Sequence, residues 1–467
     1  MRIVVVGGGI GGLAVGLFLA PRGHEVTILD ADPMAPPGDA EEAWSRWPRP
    51  GVAQLRNIHL FNARGRNVLR DRAPHVLAAL RAAGAGEIHL GGPDDDELVR
   101  LTCRRTTYEW VLRRAVRDAG RARVIGSARV VALLGDERRV TGVRTEAGNE
   151  LGADLVVDAS GRRSPLPTWL AALGARPPRR DEVANGTVSY TRWYRLRSEA
   201  GAALVRADLG YAVAVVAPAD DGMFCVTFGC LGGDQATQPL RHEAAFDAAA
   251  AAVAPVAAWT DPGRAAAQGP VLFMADRANR FTRMTEQGTP VAAGVVALAD
   301  SAMCTNPGYG RGVGLALVHA TALAAVLDEV ADAADAPQLA ARAFAEATAR
   351  DLEPWYHAAT EADRIRLVIG RRLVAGEAWD AVGAPGDDPA VRFARGAPHA
   401  VAHDPVVARA SHRAFQLLDP PTSYWGNPDI AARVEEVWRA IDRAPPPSPG
   451  PDHRAMGRLL ASAARRR

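Results

Sequence analysis

The sequence of 467 residues contains no lysine, so arginine supplies all 55 of its basic side chains. A phosphate-binding P-loop requires a lysine, and so does an enzyme that forms a Schiff base with its substrate. Both classes are therefore excluded. The 53 acidic residues reduce the net charge to +2, which gives no reason to expect a nucleic-acid or membrane-surface partner.

Cysteine is scarce as well, and the few residues show neither a CxxC pair nor another metal-ligand spacing. We expect reduced core thiols and no metal site. No apolar run reaches the roughly 20 residues that span a bilayer, and the N-terminus starts with a strand-like run instead of a secretory signal pattern. These absences predict a cytoplasmic protein without a membrane partner.

The first 30 residues follow the pattern of a dinucleotide-binding βαβ unit. A β-branched run at 2–6 precedes GGGIGG, in which Gly7, Gly9 and Gly12 have the spacing GxGxxG, and a helical stretch follows. The second strand closes with Asp30. Such glycines let the backbone approach a pyrophosphate at the helix N-terminus, and the acid binds ribose hydroxyls. The unit predicts a bound nucleotide but does not distinguish FAD from NAD.

Acidic residues end two further strand-like runs. DLVVDASGRRS (154–164) places Asp158 at the end of an apolar run, and ALADSAMCTNPGYGRG (297–312) does the same with Asp300. Ligands of open α/β sheets bind along the carboxyl edge of the strands, so both acids belong at a ligand site. After Asp300, glycine occurs at every second position, as expected where backbone amides must approach a ligand closely (Gly308, Gly310, Gly312 and Gly314).

An arginine precedes an amphipathic helical pattern between these motifs. In TCRRTTYEWVLRRAV (102–116), apolar residues recur at helical spacing, and Arg105 lies at the start of the pattern. From this position Arg105 is a candidate to reach a diphosphate or a flavin edge. A solvated basic helix end is the alternative interpretation of the same residues.

Taken in order, the motifs at 7–12, 105, 158–164 and 297–312 resemble the FAD-dependent monooxygenases of the para-hydroxybenzoate hydroxylase type. Within that family the chain is most similar to the branch with bacterial polyketide epoxidases and hydroxylases, and RPGVAQLRNIH (49–59) resembles the RxGVPQ segment of that branch. The resemblance extends from residue 1 to about residue 330, with gaps in the middle.

The resemblance implies a non-covalently bound FAD. Asp300 would then contact ribityl or phosphate oxygens, and the loop from Pro307 to Gly312, with Gly308 and Gly310, would pass beside the isoalloxazine ring. Backbone N–H groups at a helix N-terminus would stabilise the negative charge of the reduced ring. The residues expected to bind the cofactor are Gly7, Gly9, Gly12, Asp30, Arg49, Arg105, Asp158, Asp300, Pro307, Gly310 and Gly312.

Two departures from the family pattern bear on function. The family usually has glutamate where this chain has Asp30, which is a mild change because either carboxylate accepts ribose hydroxyls. The family's middle motif usually reads DG, whereas residues 158–161 read DASG. DASG also occurs among flavin reductases that act on isoprenoid double bonds, so a reductase remains an alternative.

The predicted fold class is α/β, with a Rossmann-like FAD-binding domain of the GR2 type, an inserted antiparallel β-sheet domain that holds the substrate, and a C-terminal helical cap. The expected FAD-binding domain comprises 1–175 and 268–330, the substrate domain 176–267, and the helical region 331–467. Strand-like alternation in the inserted segment supplies aromatic candidates for the pocket wall, which are Tyr190, Trp193, Tyr194, Tyr211, Phe224 and Phe228.

The predicted function is a flavin monooxygenase that inserts one oxygen atom of O₂ into a hydrophobic natural-product intermediate through an FAD C4a-hydroperoxide. No side chain is assigned a catalytic role, because the flavin carries the chemistry. NAD(P)H would bind transiently as the electron donor, or a separate flavin reductase would deliver reduced flavin. The alternatives are an FAD-dependent reductase or dehydrogenase on a prenyl-like or polyene substrate, and a non-catalytic binding protein with a flavin fold. Halogenation is not expected, since the chain has neither a lysine nor a WxWxIP segment.

Overall fold

The computed structural model describes residues 1–33, 36–92, 94–198, 203–379, 381–384, 386–440 and 448–465, without the side chains of 276 and 277. From the N-terminus to residue 175 the elements are β1 (Arg2–Val6), α1 (Ile10–Leu19), β2 (Glu25–Leu29), α2 (Ala40–Arg46), α3 (Ala63–Arg72), α4 (Pro74–Ala82), β3 (Gly86–His89), β4 (Val99–Thr102), α5 (Arg105–Asp118), β5 (Ala122–Ile125), β6 (Val130–Gly135), β7 (Val140–Thr145), β8 (Glu150–Gly152), β9 (Leu155–Asp158) and α6 (Leu166–Ala172).

The middle of the chain is mostly extended. It comprises β10 (Arg179–Leu196), β11 (Val205–Asp208), β12 (Ala212–Pro218), β13 (Met223–Leu231), α7 (Glu243–Ala252), α8 (Ala254–Thr260), β14 (Ala265–Arg283), β15 (Thr285–Glu286), β16 (Thr289–Pro290), β17 (Val295–Ala297) and β18 (Met303–Cys304). The rest is helical, with α9 (Gly312–Val330), α10 (Ala336–Asp351), α11 (Glu353–Val374), α12 (Pro389–His403), α13 (Pro405–Phe415), α14 (Pro428–Ala440) and α15 (His453–Ala464).

The first sheet is parallel throughout, in the order β17-β9-β1-β2-β5. The apolar runs that form β1 and β9 are buried on both faces, as parallel strands covered by helices must be. Strand β1 lies between β2, which follows it in the chain, and β9, which comes much later. The order of connections therefore reverses at β1, and ligands of such sheets bind in the crevice at that point.

The second sheet is antiparallel, in the order β11-β12-β13-β10-β14-β18. Its two longest strands, β10 and β14, pair over most of their length with two register shifts. Buried Arg104, just before α5, donates to the Asp220 carboxylate in the turn between β12 and β13, with Nη2 2.7 Å from Oδ2. This ion pair fixes the second sheet to the nucleotide-binding part of the chain.

The α/β class, the Rossmann-like unit, the antiparallel sheet and the C-terminal helices are all confirmed. Strand β14 continues to Arg283, so the expected boundary at 267 falls inside a strand of the second sheet. The last helix differs from the expected cap as well. Helix α15 packs on α7 at the second sheet, and Met456 and Leu460 belong to the same core as Phe228 and Phe246. The three-part division of the chain therefore stays a prediction, with these differences at its borders.

Candidate functional site

Three parts of the chain meet at the carboxyl edge of the parallel sheet. Strands β1, β9 and β17 are neighbours, and they end at Val6, Asp158 and Ala297. A Cβ added to Gly7 would lie 2.5 Å from the carbonyl oxygen of Ala159, and one added to Gly11 would lie 2.9 Å from Ala299 Cβ. The turns after the three strands therefore pack directly on one another, as the motif order predicted.

The glycines of the first turn serve different purposes. A Cβ on Gly12 would lie 1.9 Å from the Gly7 carbonyl oxygen, so this glycine is required for the helix to pack on the turn. Gly7 has φ +109°, a conformation that favours glycine. Gly9 precedes α1, and no atom lies within 4 Å of its added Cβ. No side chain in the described part of the chain caps the first N–H groups of α1. Open space before an uncapped helix N-terminus fits a diphosphate group.

A buried network of charges lies behind this turn. The Asp30 carboxylate accepts from Arg49 Nη1 and Arg113 Nη2, each at 2.5 Å. Glu109 accepts from both Arg49 and Arg105, with Arg105 Nη2 3.2 Å from Oε2. Arg49 also lies 3.2 Å from a carboxylate oxygen of Asp32. The network thus has as many carboxylates as guanidinium groups.

The network controls the protonation of Asp30. Burial by itself would raise the pKa of this carboxyl, but the charges of Arg49 and Arg113 outweigh burial and hold the pKa below its ordinary value. Asp30 is therefore ionised at neutral pH. The Asp30 carboxylate also accepts a hydrogen bond from the backbone N–H of Asp32. The predicted hydrogen bond between this carboxylate and ribose hydroxyls stays a prediction.

Arg105 has a neutral partner besides Glu109. Its Nη1 lies 3.0 Å from His59 Nε2, while Nδ1 of the same ring lies 3.0 Å from the Asn57 carbonyl oxygen. Burial, together with the charge of Arg105, lowers the pKa of His59 to about 3. The imidazole is therefore neutral, with Nδ1 as donor and Nε2 as acceptor. Arg105 lies beside the 49–59 segment, and its predicted contact with the cofactor stays a prediction.

Asp158 stabilises its own turn. Its carboxylate accepts from the Ser160 N–H at 3.0 Å and from the hydroxyls of Ser160 and Ser164. Burial raises the pKa of Asp158 despite these hydrogen bonds. Ser160 belongs to DASG, so the departure from DG supplies one of the two hydroxyl partners of the buried acid. The predicted cofactor contact of Asp158 stays a prediction.

The turn that carries Asp300 is strained. Ala299 has φ +55°, a left-handed conformation that is rare for a residue with a side chain. Its N–H donates to His319 Nδ1 on α9 at 3.1 Å, which fixes the turn against the helix. A Cβ on Gly312 would lie 3.8 Å from Asp300 Oδ1, so the acid lies beside the N-terminus of α9.

The second glycine turn runs from Asn306 to Gly310. The Asn306 side chain accepts from the Gly308 N–H at 2.9 Å, and Gly310 has φ +63°. A Cβ on Gly310 would lie 2.6 Å from Leu60 Cβ. Gly308 and Gly312 are exposed, so their backbone is accessible to a ligand. The predicted residues Pro307, Gly308 and Gly310 thus lie in one turn, and Gly312 begins α9 beside Asp300. Their place beside the isoalloxazine ring stays a prediction.

Asp363 on α11 holds this turn from behind. Its carboxylate accepts from Asn306 Nδ2 at 2.6 Å and from the Tyr309 hydroxyl at 2.8 Å. Its other oxygen accepts from Asn279 Nδ2 at 2.8 Å. Both the first and the penultimate residue of the turn are therefore bonded to one buried carboxylate.

Arg311 follows the turn and is 1% exposed. Within the described residues, none of its three guanidinium nitrogens has a hydrogen-bond partner. The rings of Tyr309, Trp355 and Trp425 surround the guanidinium carbon at 4.8, 5.0 and 5.4 Å from their centroids. Burial lowers the pKa of Arg311 to about 10, so the side chain remains a cation at neutral pH.

Most of the aromatic candidates for the pocket wall lie elsewhere. Tyr190, Tyr194, Tyr211, Phe224 and Phe228 pack in the core between the second sheet and helices α7 and α15. Only Trp193 lies on the opposite face, where it packs with Leu60 and Cys225. Alternate residues of a strand point to opposite faces, so Trp193 and Tyr194 could not both line one pocket.

Several residues of the site lay outside the sequence-based predictions. Arg113 follows Arg105 and Glu109 at steps of four, so the three share one face of α5, and this spacing was a usable signal. Asn306 directly before Pro307 is a turn signal of the same kind. For Asp363 and His319 we find no signal, because both come from helices whose pattern shows only amphipathicity or burial.

Comparisons with known proteins match parts of the chain to two flavoprotein families. Residues 2–86 match the family described as FAD dependent oxidoreductase, and residues 101–172 match the tryptophan halogenase family. The chain is 26% identical to Protein Rv3254 of Mycobacterium tuberculosis over 349 residues, which cover 68% of this chain and 71% of that protein. A chloroplastic zeaxanthin epoxidase of Oryza sativa subsp. japonica is 28% identical over 170 residues, which cover 34% of this chain and 25% of that protein.

Solved structures show the same fold. PqsL, a probable FAD-dependent monooxygenase of Pseudomonas aeruginosa, superposes with a TM-score of 0.57 at 16% identity, over 80% of this chain and 97% of PqsL. The flavin-dependent brominase Bmp2 gives 0.60 at 14% identity, over 95% and 100% of the two chains. Together these matches support an FAD-dependent oxidoreductase that has the fold of FAD-dependent monooxygenases. The predicted enzyme class and the predicted FAD cofactor agree with these matches.

Among the residues that the structure describes, one helix is long and apolar enough to cross a membrane, by length and composition alone. This helix is α9, Gly312–Val330, and 61% of its apolar stretch is buried inside the protein. The core contacts of Leu317, Ala320 and Leu323 account for its composition. The predicted cytoplasmic location and the lack of a membrane partner stay predictions.

Proposed function

We propose that this flavoprotein transfers one oxygen atom from O₂ to a predominantly hydrophobic small molecule, by epoxidation or hydroxylation. The observation that carries the proposal is the convergence of the open N-terminus of α1, the Asp300 turn and the accessible glycines Gly308 and Gly312 at one sheet edge. FAD bound there supplies, once reduced, the activation of O₂. The residues of the chain bind and orient the cofactor and exclude water.

The cofactor and the substrate would occupy adjoining spaces. The α1 N-terminus and Gly9 would hold the diphosphate, and Asp300 with the second glycine turn would hold the ring. Leu60 contacts that turn and also packs with Trp193, on the face of the second sheet that lies opposite to α7 and α15. The same sheet face carries the buried pair Thr191 and Thr227, whose hydroxyls are 2.8 Å apart. A largely apolar surface with few polar groups is typical of a small-molecule pocket and suits a hydrophobic substrate.

The electron donor is proposed to be NAD(P)H bound transiently, with a separate flavin reductase as the alternative. The chain has no second GxGxxG unit for a resident nicotinamide cofactor. Purified protein loaded with FAD should lose its yellow colour on anaerobic addition of NADPH or NADH. If neither bleaches it and a flavin reductase does, the separate donor is supported.

Two other reactions of the same cofactor remain as alternatives. Halogenation is favoured by the match of 101–172 to the tryptophan halogenase family, and the absence of lysine weighs against it. Reduction of an olefin was suggested by DASG, but Ser160 bonds Asp158 within the turn, so the motif has a structural explanation here.

Product analysis under ¹⁸O₂ separates these reactions. The FAD-loaded enzyme, reduced by the donor that works, is incubated with candidate polyketide or aromatic compounds and with bromide. We expect one ¹⁸O atom per product molecule. A brominated product or a product with two added hydrogens and no ¹⁸O would overturn the proposal, as would a wild-type protein that binds no FAD.

A further inference from the structure

Among the residues that the structure describes, Arg311 is a buried charge at this site without a counter-ion in hydrogen-bond contact. Arg49, Arg104 and Arg113 are equally buried, and each forms an ion pair with a carboxylate. Within the described part of the chain, the guanidinium of Arg311 contacts the faces of three aromatic rings, which attract a cation but accept no conventional hydrogen bond. The Asp363 carboxylate attracts it from beyond hydrogen-bond distance. A buried cation without hydrogen bonds is costly to the folded state, so its retention calls for a functional reason.

The position of Arg311 suggests that reason. The residue lies between Gly310 and Gly312 and caps the N-terminus of the 19-residue helix α9. The positive end of the helix dipole adds to the charge of the guanidinium. The Asp363 carboxylate, whose charge is opposite to that of Arg311, lies behind the turn and accepts hydrogen bonds from Asn306 and Tyr309. A cation and an anion therefore flank the same turn, and only the anion has its hydrogen bonds satisfied.

We propose that Arg311 supplies a positive charge that offsets the negative charge which the bound flavin gains on reduction. The inference rests on the proposed function and deepens it. Transfer of a hydride from NAD(P)H brings two electrons and one proton. The flavin ring system therefore gains one negative charge, and the nicotinamide becomes more positive by one charge. Arg311 acts at a distance through its charge and is not a catalytic residue.

The decisive variant is Arg311→Met. Methionine is long, flexible and apolar, so it fits among aromatic rings and removes the charge without leaving a large cavity. Because the variant removes an unpaired buried charge, we expect an unchanged or higher midpoint of thermal unfolding. The affinity for reduced FAD should fall about tenfold relative to that for oxidised FAD, which lowers the two-electron potential by about 30 mV. Anaerobic FAD titrations and a dye-equilibration potential give both values.

Two more variants separate charge from shape. Arg311→Lys keeps the charge and should retain the wild-type ratio of the two affinities. Asp363→Asn removes the opposite charge, so the potential should rise instead of fall. Glu361→Gln is the matched control, because Glu361 lies on the same helix, is half exposed and pairs with Arg364. It should leave the potential unchanged.

The signs of these shifts decide the inference. If Arg311→Met leaves the ratio of affinities unchanged, or if Arg311→Met and Asp363→Asn shift the potential in the same direction, the charge of Arg311 has no such role. Should Asp363→Asn fail to fold, the pair Arg311→Met and Arg311→Lys still decides. A wild-type protein that binds FAD and forms oxygenated product supports the proposed function whatever the Arg311 variants show.

Discussion

The two glycine turns of this protein lie at the same sheet edge but manage charge differently. Behind the first turn, Asp30, Asp32 and Glu109 balance Arg49, Arg105 and Arg113 within one buried network. At the second turn, Arg311 has no ion pair among the described residues. Asp363 accepts short hydrogen bonds from neutral donors and forms a longer ion pair with Arg366, at 3.5 Å. A diphosphate keeps its charge through a reaction cycle, whereas a flavin ring does not. The balanced site suits the position proposed for the diphosphate, and the unbalanced site suits the position proposed for the flavin ring.

The two turns also use glycine differently. In the first turn, Gly7 and Gly12 are required because other backbone atoms occupy the space of a Cβ. In the second, Gly310 faces the side chain of Leu60, and in the helix that follows, Gly314 faces that of Asn62. Side chains can shift, whereas a backbone carbonyl inside a sheet edge cannot. The first turn should therefore be the less tolerant of substitution.

The largest effect is expected for Gly12→Ala. The new methyl group would lie 1.9 Å from the Gly7 carbonyl oxygen, so α1 could not pack on the turn. We expect little folded protein, measured as soluble yield and a cooperative thermal transition. Gly9→Ala is the matched control, since its Cβ meets no protein atom. It should fold normally and bind FAD at least about tenfold more weakly, because the methyl group enters the space proposed for the diphosphate. Normal folding and FAD binding by Gly12→Ala would refute the comparison.

Asp30→Asn should destabilise the protein by about 3 kcal/mol, because it leaves two buried guanidinium groups without their shared carboxylate. Denaturant unfolding measures the loss. Asp154→Asn provides the control at the same sheet, since Asp154 forms an exposed ion pair with Arg2 and should contribute less than about 1 kcal/mol. Equal losses of unfolding free energy in the two variants would show that the buried network behind the first turn contributes no more to stability than an exposed ion pair does.

Gly310→Ala should cost about 1–2 kcal/mol, because the residue has φ +63° and its Cβ would contact Leu60. Denaturant unfolding again gives the value, and the visible spectrum of bound FAD should change with it. Gly308→Ala, at an exposed position whose Cβ would meet only the Asn306 side chain at 3.2 Å, should cost less than half as much. A larger loss for Gly308→Ala would contradict the account of this turn.

The smallest effect concerns pH. The pKa of Asp30 is lowered in the folded state, so its contribution is present above the ordinary aspartate value of 3.8 and is lost as the pH falls through the folded pKa. The pKa of Asp158 is raised, so stability from this group is present below 3.8 and is lost as the pH rises through the folded pKa. The free energy of unfolding, measured between pH 3 and 6, should therefore fall more steeply with decreasing pH in Asp158→Asn than in Asp30→Asn. The reverse order would be inconsistent with these pKa directions.

Much of the site was predictable because its residues stand at strand ends. Gly7, Asp30, Asp158 and Asp300 each follow a recognisable apolar run, and parallel strands bring their carboxyl ends to one edge. The pocket wall was not predictable in the same way. Five of the six aromatic candidates pack in the core beneath the sheet, since alternation in a strand indicates two faces but not which face is turned to the ligand.

The amino-acid sequence by itself determined the class of cofactor, the order of the sheet-edge motifs and the exclusion of lysine-dependent chemistry, because these depend on local patterns and on composition. Only the tertiary structure decided which charges are paired. Whether Arg49 meets Asp30, Asp363 meets Tyr309, or Arg311 meets aromatic rings alone depends on contacts between segments far apart in the chain. No periodicity along the chain encodes such contacts.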